Sequence, residues 1–314
     1  MKKILVTGAG GFIGSHLVRY LRDNRNNWVR GVDIKHPEYS PSRANEFLIR
    51  DLTLLHNCIE VCYDMDEVYN LAAMMGGMGW ISKEHISAFY DSNLINTYMA
   101  KAAADNGVKK LFFSSSACVY PLYKQNSVSQ RHIIEEEEVY PAEPNEGYGW
   151  EKLFAEERFM AYKSRYKVRI ARFENCYGPE GTYDGGKEKA CSALCRKVAK
   201  AKDGDAIEVW GDGKQLRSFM YVDDCVKGIY KLMSSDYDKP MNLGSDEVVS
   251  INQLAEMIIK ISGKRLVVKN IDGPEGVRSR WIDHTKAKEL LNWRAKISLE
   301  EGLKKTYAWI SSQV

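Results

Sequence analysis

A chain of 314 residues has room for two ordinary domains, or for one larger domain with a smaller lobe. Hydrophobic residues make up 44% and charged residues 28%, enough for a packed core, and 45 basic against 42 acidic residues leave a formal charge of only +3. That balance argues against a nucleic-acid partner, which calls for a clustered basic excess, and the lack of a long apolar run argues against a membrane span.

In chain order, Lys3–Thr7 (KILVT) reads as a buried strand, followed by a glycine turn and an amphipathic helix over Phe12–Leu21. Trp28–Ile34, Glu46–Leu52, Glu67–Ala72 and Lys110–Ser115 read as further strands, with helices between most of them near Leu54–Tyr63 and Ser87–Asn106. The acidic run Glu135–Glu138 reads as a solvated loop. A helix is expected from about Tyr148 to Tyr166 and a strand at Val168–Phe173. Strands spaced by helices imply right-handed crossovers and a parallel sheet covered on both faces. After Asn175 the alternation weakens into a glycine-rich loop, Gly178–Gly186, and shorter elements, with helices near Asp223–Met233 and Ser250–Ile261. The expected organisation is a cofactor-binding domain over 1–175 and a smaller α/β substrate-binding lobe over 176–314, with some segments crossing back.

Seven cysteines, odd in number and without a C-x-x-C pair, suit a reducing cytoplasm better than a disulfide framework. Six dispersed histidines give no metal-ligand spacing, so no metal is expected. Met1 runs straight into the first strand, and no signal peptide is expected.

Gly8, Gly11 and Gly14 follow G-x-x-G-x-x-G between the first strand and the first helix. Such glycines make a tight turn, let backbone N–H groups approach a pyrophosphate and let the helix pack closely; its N-terminus, at Phe12 and Ile13, adds partial positive charge. Asp33 ends the second strand where an acid grips the adenine ribose. The chain is therefore expected to form a Rossmann-like, doubly wound α/β sheet that binds NAD, since a carboxylate at Asp33 repels the 2′-phosphate of NADP. Asp51, after the third strand, suits an adenine-side contact and a surface loop equally well.

Tyr148 and Lys152 form Y-x-x-x-K, one helical turn apart on one face. A tyrosine titrates near pH 10, and a neighbouring ammonium lowers that value electrostatically and can also hold the nicotinamide ribose. Ser116, at the end of a strand, is placed to complete a Ser–Tyr–Lys set, although a strand-end cap is its plainer role.

With Arg172–Pro179 (RFENCYGP) these motifs resemble the extended short-chain dehydrogenase/reductase superfamily over nearly the whole chain; Trp210–Gly213, Arg217–Phe219, Tyr221–Asp224 and Asn242–Gly244 agree. The resemblance implies that Asn175 and Arg217 touch the phosphates or base of a nucleotide-sugar. Four further features are similar to the GDP-mannose 3,5-epimerases: Cys118, the loop Met74–Gly79 (MMGGMG), Gly185–Ala190 (GGKEKA) and Gly273–Arg278 (GPEGVR). That likeness implies Cys118 and Lys189 as the acid/base pair, Arg278 on the nucleotide diphosphate, and Gly76, Gly77 and Met78 lining the sugar pocket. It further implies a homodimer formed through the helices Ser87–Asn106 and Tyr148–Tyr166.

From the residues alone, Cys118 is equally a small buried hydrophobe and Lys189 a solvated helix charge. The competing readings are an epimerase-reductase resembling GDP-fucose synthase, a plain 4-epimerase using only Ser116, Tyr148 and Lys152, and a catalytically inactive NAD-sensing protein. The first is disfavoured by Asp33 and by the lack of a histidine in Glu174–Lys200.

Overall fold

The computed structural model describes residues 1–23, 25–81, 85–129 and 132–314. The first half contains β1 (Lys3–Thr7), α1 (Phe12–Asp23), β2 (Trp28–Asp33), β3 (Glu46–Ile49), α2 (Leu55–Cys62), β4 (Glu67–Asn70), α3 (Met78–Ile81), α4 (His85–Asp105), β5 (Lys110–Ser116), α5 (Glu146–Ala161) and β6 (Lys167–Phe173). The second half continues with β7 (Asn175–Tyr177), α6 (Ala190–Lys200), β8 (Ala206–Trp210), β9 (Leu216–Tyr221), α7 (Val222–Ser234), β10 (Pro240–Leu243), β11 (Val248–Ser250), α8 (Ile251–Ser262), β12 (Val267–Ile271), α9 (Thr285–Leu291) and α10 (Leu299–Ser311).

The main sheet runs β10-β6-β5-β4-β1-β2-β3, and every pairing in it is parallel. Parallel strands are buried on both faces, and alternation along each strand feeds two cores. Ile4 and Val6 of β1 and Phe112 of β5 join α1 and α7 in one core, while Leu5, Leu111 and Phe113 point the other way into α2, α4 and α5. The strand order reverses between β1 and β4, which opens a crevice at the carboxyl ends of the strands. The remaining strands form a three-stranded sheet, β11-β9-β7, and a parallel pair, β12-β8. Among the described residues no helix is long and apolar enough to cross a membrane.

Two expectations needed adjustment. The acidic run is not wholly solvated: Glu136 is buried, its carboxylate accepting from the Asn242 N–H at 3.1 Å and pairing with Lys286 at 3.0 Å. The helix carrying Tyr148 starts at Glu146 and ends at Ala161, short of the expected Tyr166.

Candidate active site

The glycine turn after β1 is built without room for side chains. Gly8 has φ +68°, and a Cβ there would come within 2.9 Å of the Leu71 and Ala72 backbone; one at Gly14 would lie 2.0 Å from the Gly8 carbonyl. The turn, closed by the Gly11 N–H donating to the Gly8 carbonyl at 3.1 Å, leads into α1 at Phe12 and Ile13, where the helix N-terminus and its dipole favour an anion. A small cleft lies there between Gly10, Gly11, Ser15, Lys35, Tyr39 and Glu180. The Asp33 carboxylate ends β2, accepting from Gly10 N–H at 2.9 Å and Ile34 N–H at 2.7 Å. These features suit a dinucleotide: a cradle of bare backbone for the pyrophosphate and an acid one strand away for a ribose. Asp51 is exposed, and its carboxylate is engaged locally by the Thr53 N–H (2.9 Å) and hydroxyl (2.7 Å).

Across the crevice, Ser116 closes β5 and its hydroxyl accepts from the Cys118 N–H at 3.1 Å, setting the short turn Ala117–Val119. This turn and α5 are locked together. Asn145 N–H donates to the Cys118 carbonyl at 3.0 Å, and a Cβ on Gly149 would lie 2.4 Å from that oxygen. Tyr148 and Cys118 therefore share one site because a glycine in α5 lets the helix press against the turn. Tyr148 is buried beside Ser116. Burial pushes its phenol well above the usual range, the Cys118 charge adds to this, and Ser116 and Arg280 oppose it. Lys152, one turn on, is buried; its ammonium donates to the Ser114 carbonyl at 3.1 Å and lies 5.7 Å from the Tyr148 ring centre. Burial also lowers the lysine's pKa, against the pull of Glu151 and Cys118.

Cys118 is half-buried, and an Arg280 guanidinium nitrogen lies 3.4 Å from its sulfur. Burial alone would raise the thiol, but the charge of Arg280, hydrogen bonds from Ser116 and Arg280, and the charge of Lys189 bring it below its usual value. The expected acid/base pair is thus within electrostatic reach of each other, Lys189 sitting half-buried immediately before α6.

Arg280 is the residue that the sequence reading missed. Its Nε donates to Gln125 at 2.8 Å, and a second guanidinium nitrogen, Nη2, is buried without a partner, leaving a donor for a bound group. Arg278, the expected diphosphate ligand, lies at the surface and is held by Asp212 at 2.8 and 3.0 Å and by Glu275 at 2.5 Å. Arg217 is brought to the site: it spends donors on the carbonyls of Leu216 (2.8 Å) and Val277 (2.6 Å), and Arg280 and Cys118 both act on its charge. Asn175 is half-buried, with its amide on the Ser218 carbonyl at 3.0 Å.

The glycine-methionine loop closes on the segment that carries Lys189. Gly77 N–H donates to the Lys187 carbonyl at 3.0 Å, and a Cβ on Gly77 would lie 2.3 Å from the Glu188 carbonyl oxygen. Gly76 packs under the Trp80 ring, over which the Lys187 ammonium sits 4.7 Å from the ring centre. From the other side Arg196 holds Asp184 at 3.0 Å and Glu188 at 2.9 Å. The Met78 side chain lies outside the described residues.

A dinucleotide crevice beside a Ser–Tyr–Lys set defines an NAD-dependent α/β enzyme, and the chain belongs to the NAD dependent epimerase/dehydratase family, whose model matches residues 4–244. Over 316 aligned residues it is 44% identical to the GDP-mannose 3,5-epimerase of Arabidopsis thaliana, spanning 99% of this chain and 83% of that protein. Among solved structures it resembles the UDP-glucose 4-epimerase of Thermotoga maritima with UDP-glucose (TM-score 0.87, 27% identity, 99% of both chains). The Bacillus cereus UDP-glucuronic acid 4-epimerase in complex with UDP-glucuronic acid and NAD is also similar (TM-score 0.85, 27% identity, 99% of this chain and 100% of that one).

Proposed function

We propose that this chain epimerises GDP-D-mannose at C3 and C5, giving GDP-L-galactose and the C5 epimer GDP-L-gulose, through transient oxidation at C4. The observation that carries the reading is the Cys118 thiol, brought toward its thiolate by Arg280 at 3.4 Å and by Lys189, beside the Ser116–Tyr148–Lys152 set. The 44% identity to the Arabidopsis thaliana enzyme over 99% of the chain supports the choice of substrate.

The residues divide the chemistry. Protons on C3 and C5 of a sugar are not acidic, but beside a C4 ketone their removal gives a delocalised enolate. The Gly8–Gly14 turn and Asp33 would hold NAD, which would supply the hydride acceptor and donor for the C4 carbon. Tyr148 takes and returns the C4 hydroxyl proton, with Ser116 holding that oxygen and the Lys152 ammonium stabilising the phenolate. Cys118 and Lys189 remove and deliver the protons at C3 and C5. Thiolate and amine both suit proton transfer near neutrality. Arg280, Arg217 and Asn175 bind the anionic nucleotide portion and the sugar; guanidinium forks match a diphosphate. Arg278, committed to Asp212 and Glu275, joins them only by exchanging those partners.

Outside the site, α4 exposes Ile86, Phe89 and Tyr90 and α5 exposes Trp150 and Phe154. This apolar surface supports a homodimer through these two helices, with sedimentation of the wild type and of Phe154→Glu as its check. A cytoplasmic location is supported by seven cysteines that are all free thiols.

The test is proton NMR of GDP-mannose with the purified protein in deuterated water. Deuterium should enter at C3 and C5 with new galactose- and gulose-type signals, and Cys118→Ala should abolish that exchange. A wild-type protein that leaves both positions protonated refutes the substrate; undiminished exchange in Cys118→Ala removes the thiol from the mechanism.

A further inference from the structure

One buried carboxylate next to the catalytic set has no role in the scheme above. Glu151 lies on α5 and is 1% exposed. One of its oxygens accepts from the Asn96 amide at 2.6 Å; the other accepts no hydrogen bond and lies 3.9 Å from the Lys152 ammonium. A carboxylate without water is costly unless it faces a cation and its remaining lone pairs are met.

The hydrogen bonds leading to Glu151 have a single polarity. The Leu71 and Ala72 N–H groups donate to the Thr7 hydroxyl at 3.1 and 3.2 Å, and that hydroxyl donates to the Asn70 carbonyl oxygen at 2.8 Å. The Asn70 amide nitrogen donates to Asn96 at 2.8 Å, and the Asn96 amide nitrogen donates to Glu151. Every step passes a donor forward, so the last member has to be an acceptor, and an ionised carboxylate is the strongest one available. The series ties the strand end that carries the glycine turn to the helix that carries Tyr148 and Lys152.

The other charged groups around Lys152 are already matched. Glu156 forms a bidentate pair with Arg172 at 2.7 and 2.9 Å and accepts from Ser115. Cys118 faces Arg280 and Lys189, and Tyr148 faces Ser116. On its remaining side the ammonium lies 4.8 Å from the centre of the Phe113 ring. Arg158 also acts on Glu151 from farther off, donating to Asn93 at 2.6 Å with one guanidinium nitrogen, Nη1, buried without a hydrogen bond; no ion pair within 4 Å joins it to Glu151, whereas Lys152 lies at 3.9 Å. Glu151 is left as the carboxylate whose charge Lys152 answers.

We propose that Glu151 is the buried counter-ion of Lys152, a positioning residue that keeps the ammonium charged beside Tyr148 while the tyrosine carries the substrate proton. This rests on the acid/base reading of Tyr148 given above.

Glu151→Gln tests it, because glutamine keeps the size and an acceptor for Asn96 while removing the charge. In protein with 13C-labelled lysines, the Lys152 signal (identified by its loss in Lys152→Arg) should titrate at lower pH in Glu151→Gln than in wild type. Turnover at pH 9 relative to pH 7 should fall at least about tenfold further than in wild type, since each pH unit of lost charge is a factor of ten. A Lys152 midpoint that does not move overturns the proposal, as does a loss of turnover equal at both pH values, the mark of a structural role. Glu151→Asp withdraws the charge by one methylene and should give a shift in the same direction but smaller. It carries the test alone if Glu151→Gln does not fold, an unmoved midpoint again overturning the proposal. A wild type without turnover of GDP-mannose refutes that substrate only; the lysine titration still decides the role of Glu151.

Discussion

The contact between Gly77 and Glu188 gives a sharp prediction about a residue that need not touch the reacting atoms to matter. In Gly77→Ala the new methyl would start 2.3 Å from the Glu188 carbonyl oxygen, where an ordinary contact begins at 3.4 Å, so the backbones must part by 3.4 − 2.3 = 1.1 Å. Neither partner is a flexible side-chain tip, and the adjoining Gly77-to-Lys187 hydrogen bond of 3.0 Å carries the displacement into the segment that ends at Lys189. Misplacing a reacting group by about 1 Å costs on the order of a hundredfold in rate, equivalent to about 2.7 kcal/mol in the barrier. The expected result is a kcat about a hundredfold lower for GDP-mannose epimerisation, read as deuterium incorporation, with NAD content and Tm near wild type. Gly79→Ala is the control: its methyl would meet only the edge of the Trp210 ring, at 3.1 and 3.5 Å, and kcat should stay within about threefold, or ~0.7 kcal/mol. A Gly77→Ala enzyme that also stays within threefold, or a control that falls as far, refutes the claim that this loop positions Lys189.

Arg280→Gln should slow alkylation of Cys118 by iodoacetamide at pH 7 at least about tenfold, because losing the cation raises the thiol and depletes the thiolate. The other six cysteines are buried, so the labelled residue is readily identified by mass spectrometry, and equal rates in both proteins would contradict the assignment. His284, buried between Glu174 (3.0 Å) and Asp246 (3.1 Å), has its pKa raised to about 9 from 6.5: burial opposes its charge, but the two carboxylates prevail. Its contribution to stability is therefore complete below about pH 6.5 and lost as pH rises through about 9, on the order of 3 kcal/mol. Urea unfolding at pH 6, 7.5 and 9.5 should show this decline in wild type and not in His284→Gln; parallel curves would exclude the pair as its source.

Local spacing made the fold and half of the site legible. A glycine triplet between an apolar run and an amphipathic helix, or a tyrosine and lysine one turn apart, is a short-range pattern whose meaning survives without tertiary knowledge. Arg280 was not legible in the same way. Arg278 and Arg280 are two residues apart, and in a regular strand both would face one side. The chain instead bends at Arg278, sending it to Asp212 while Arg280 turns in to Cys118. Nothing in the local sequence marks Glu151 as buried, and Glu136 reads as part of a solvated acidic run. Both are buried because segments more than fifty residues away cover them: Asn96 meets Glu151, and Asn242 with Lys286 meets Glu136. Only long-range packing carries that information.

The strand Pro240–Leu243 pairs with Lys167–Phe173 at the edge of the main sheet, after the segments that carry Lys189 and Arg217 and before the one that carries Arg280. The polypeptide thus leaves the large sheet, places Lys189 and Arg217, returns to finish the sheet, and leaves again to bring Arg280 to Cys118. A pocket threaded in this way cannot be traded between relatives as a cassette, since cutting it out removes a strand from the scaffold that holds the cofactor. Within such an architecture a change of preference would arise residue by residue, while the interleaved backbone is inherited whole.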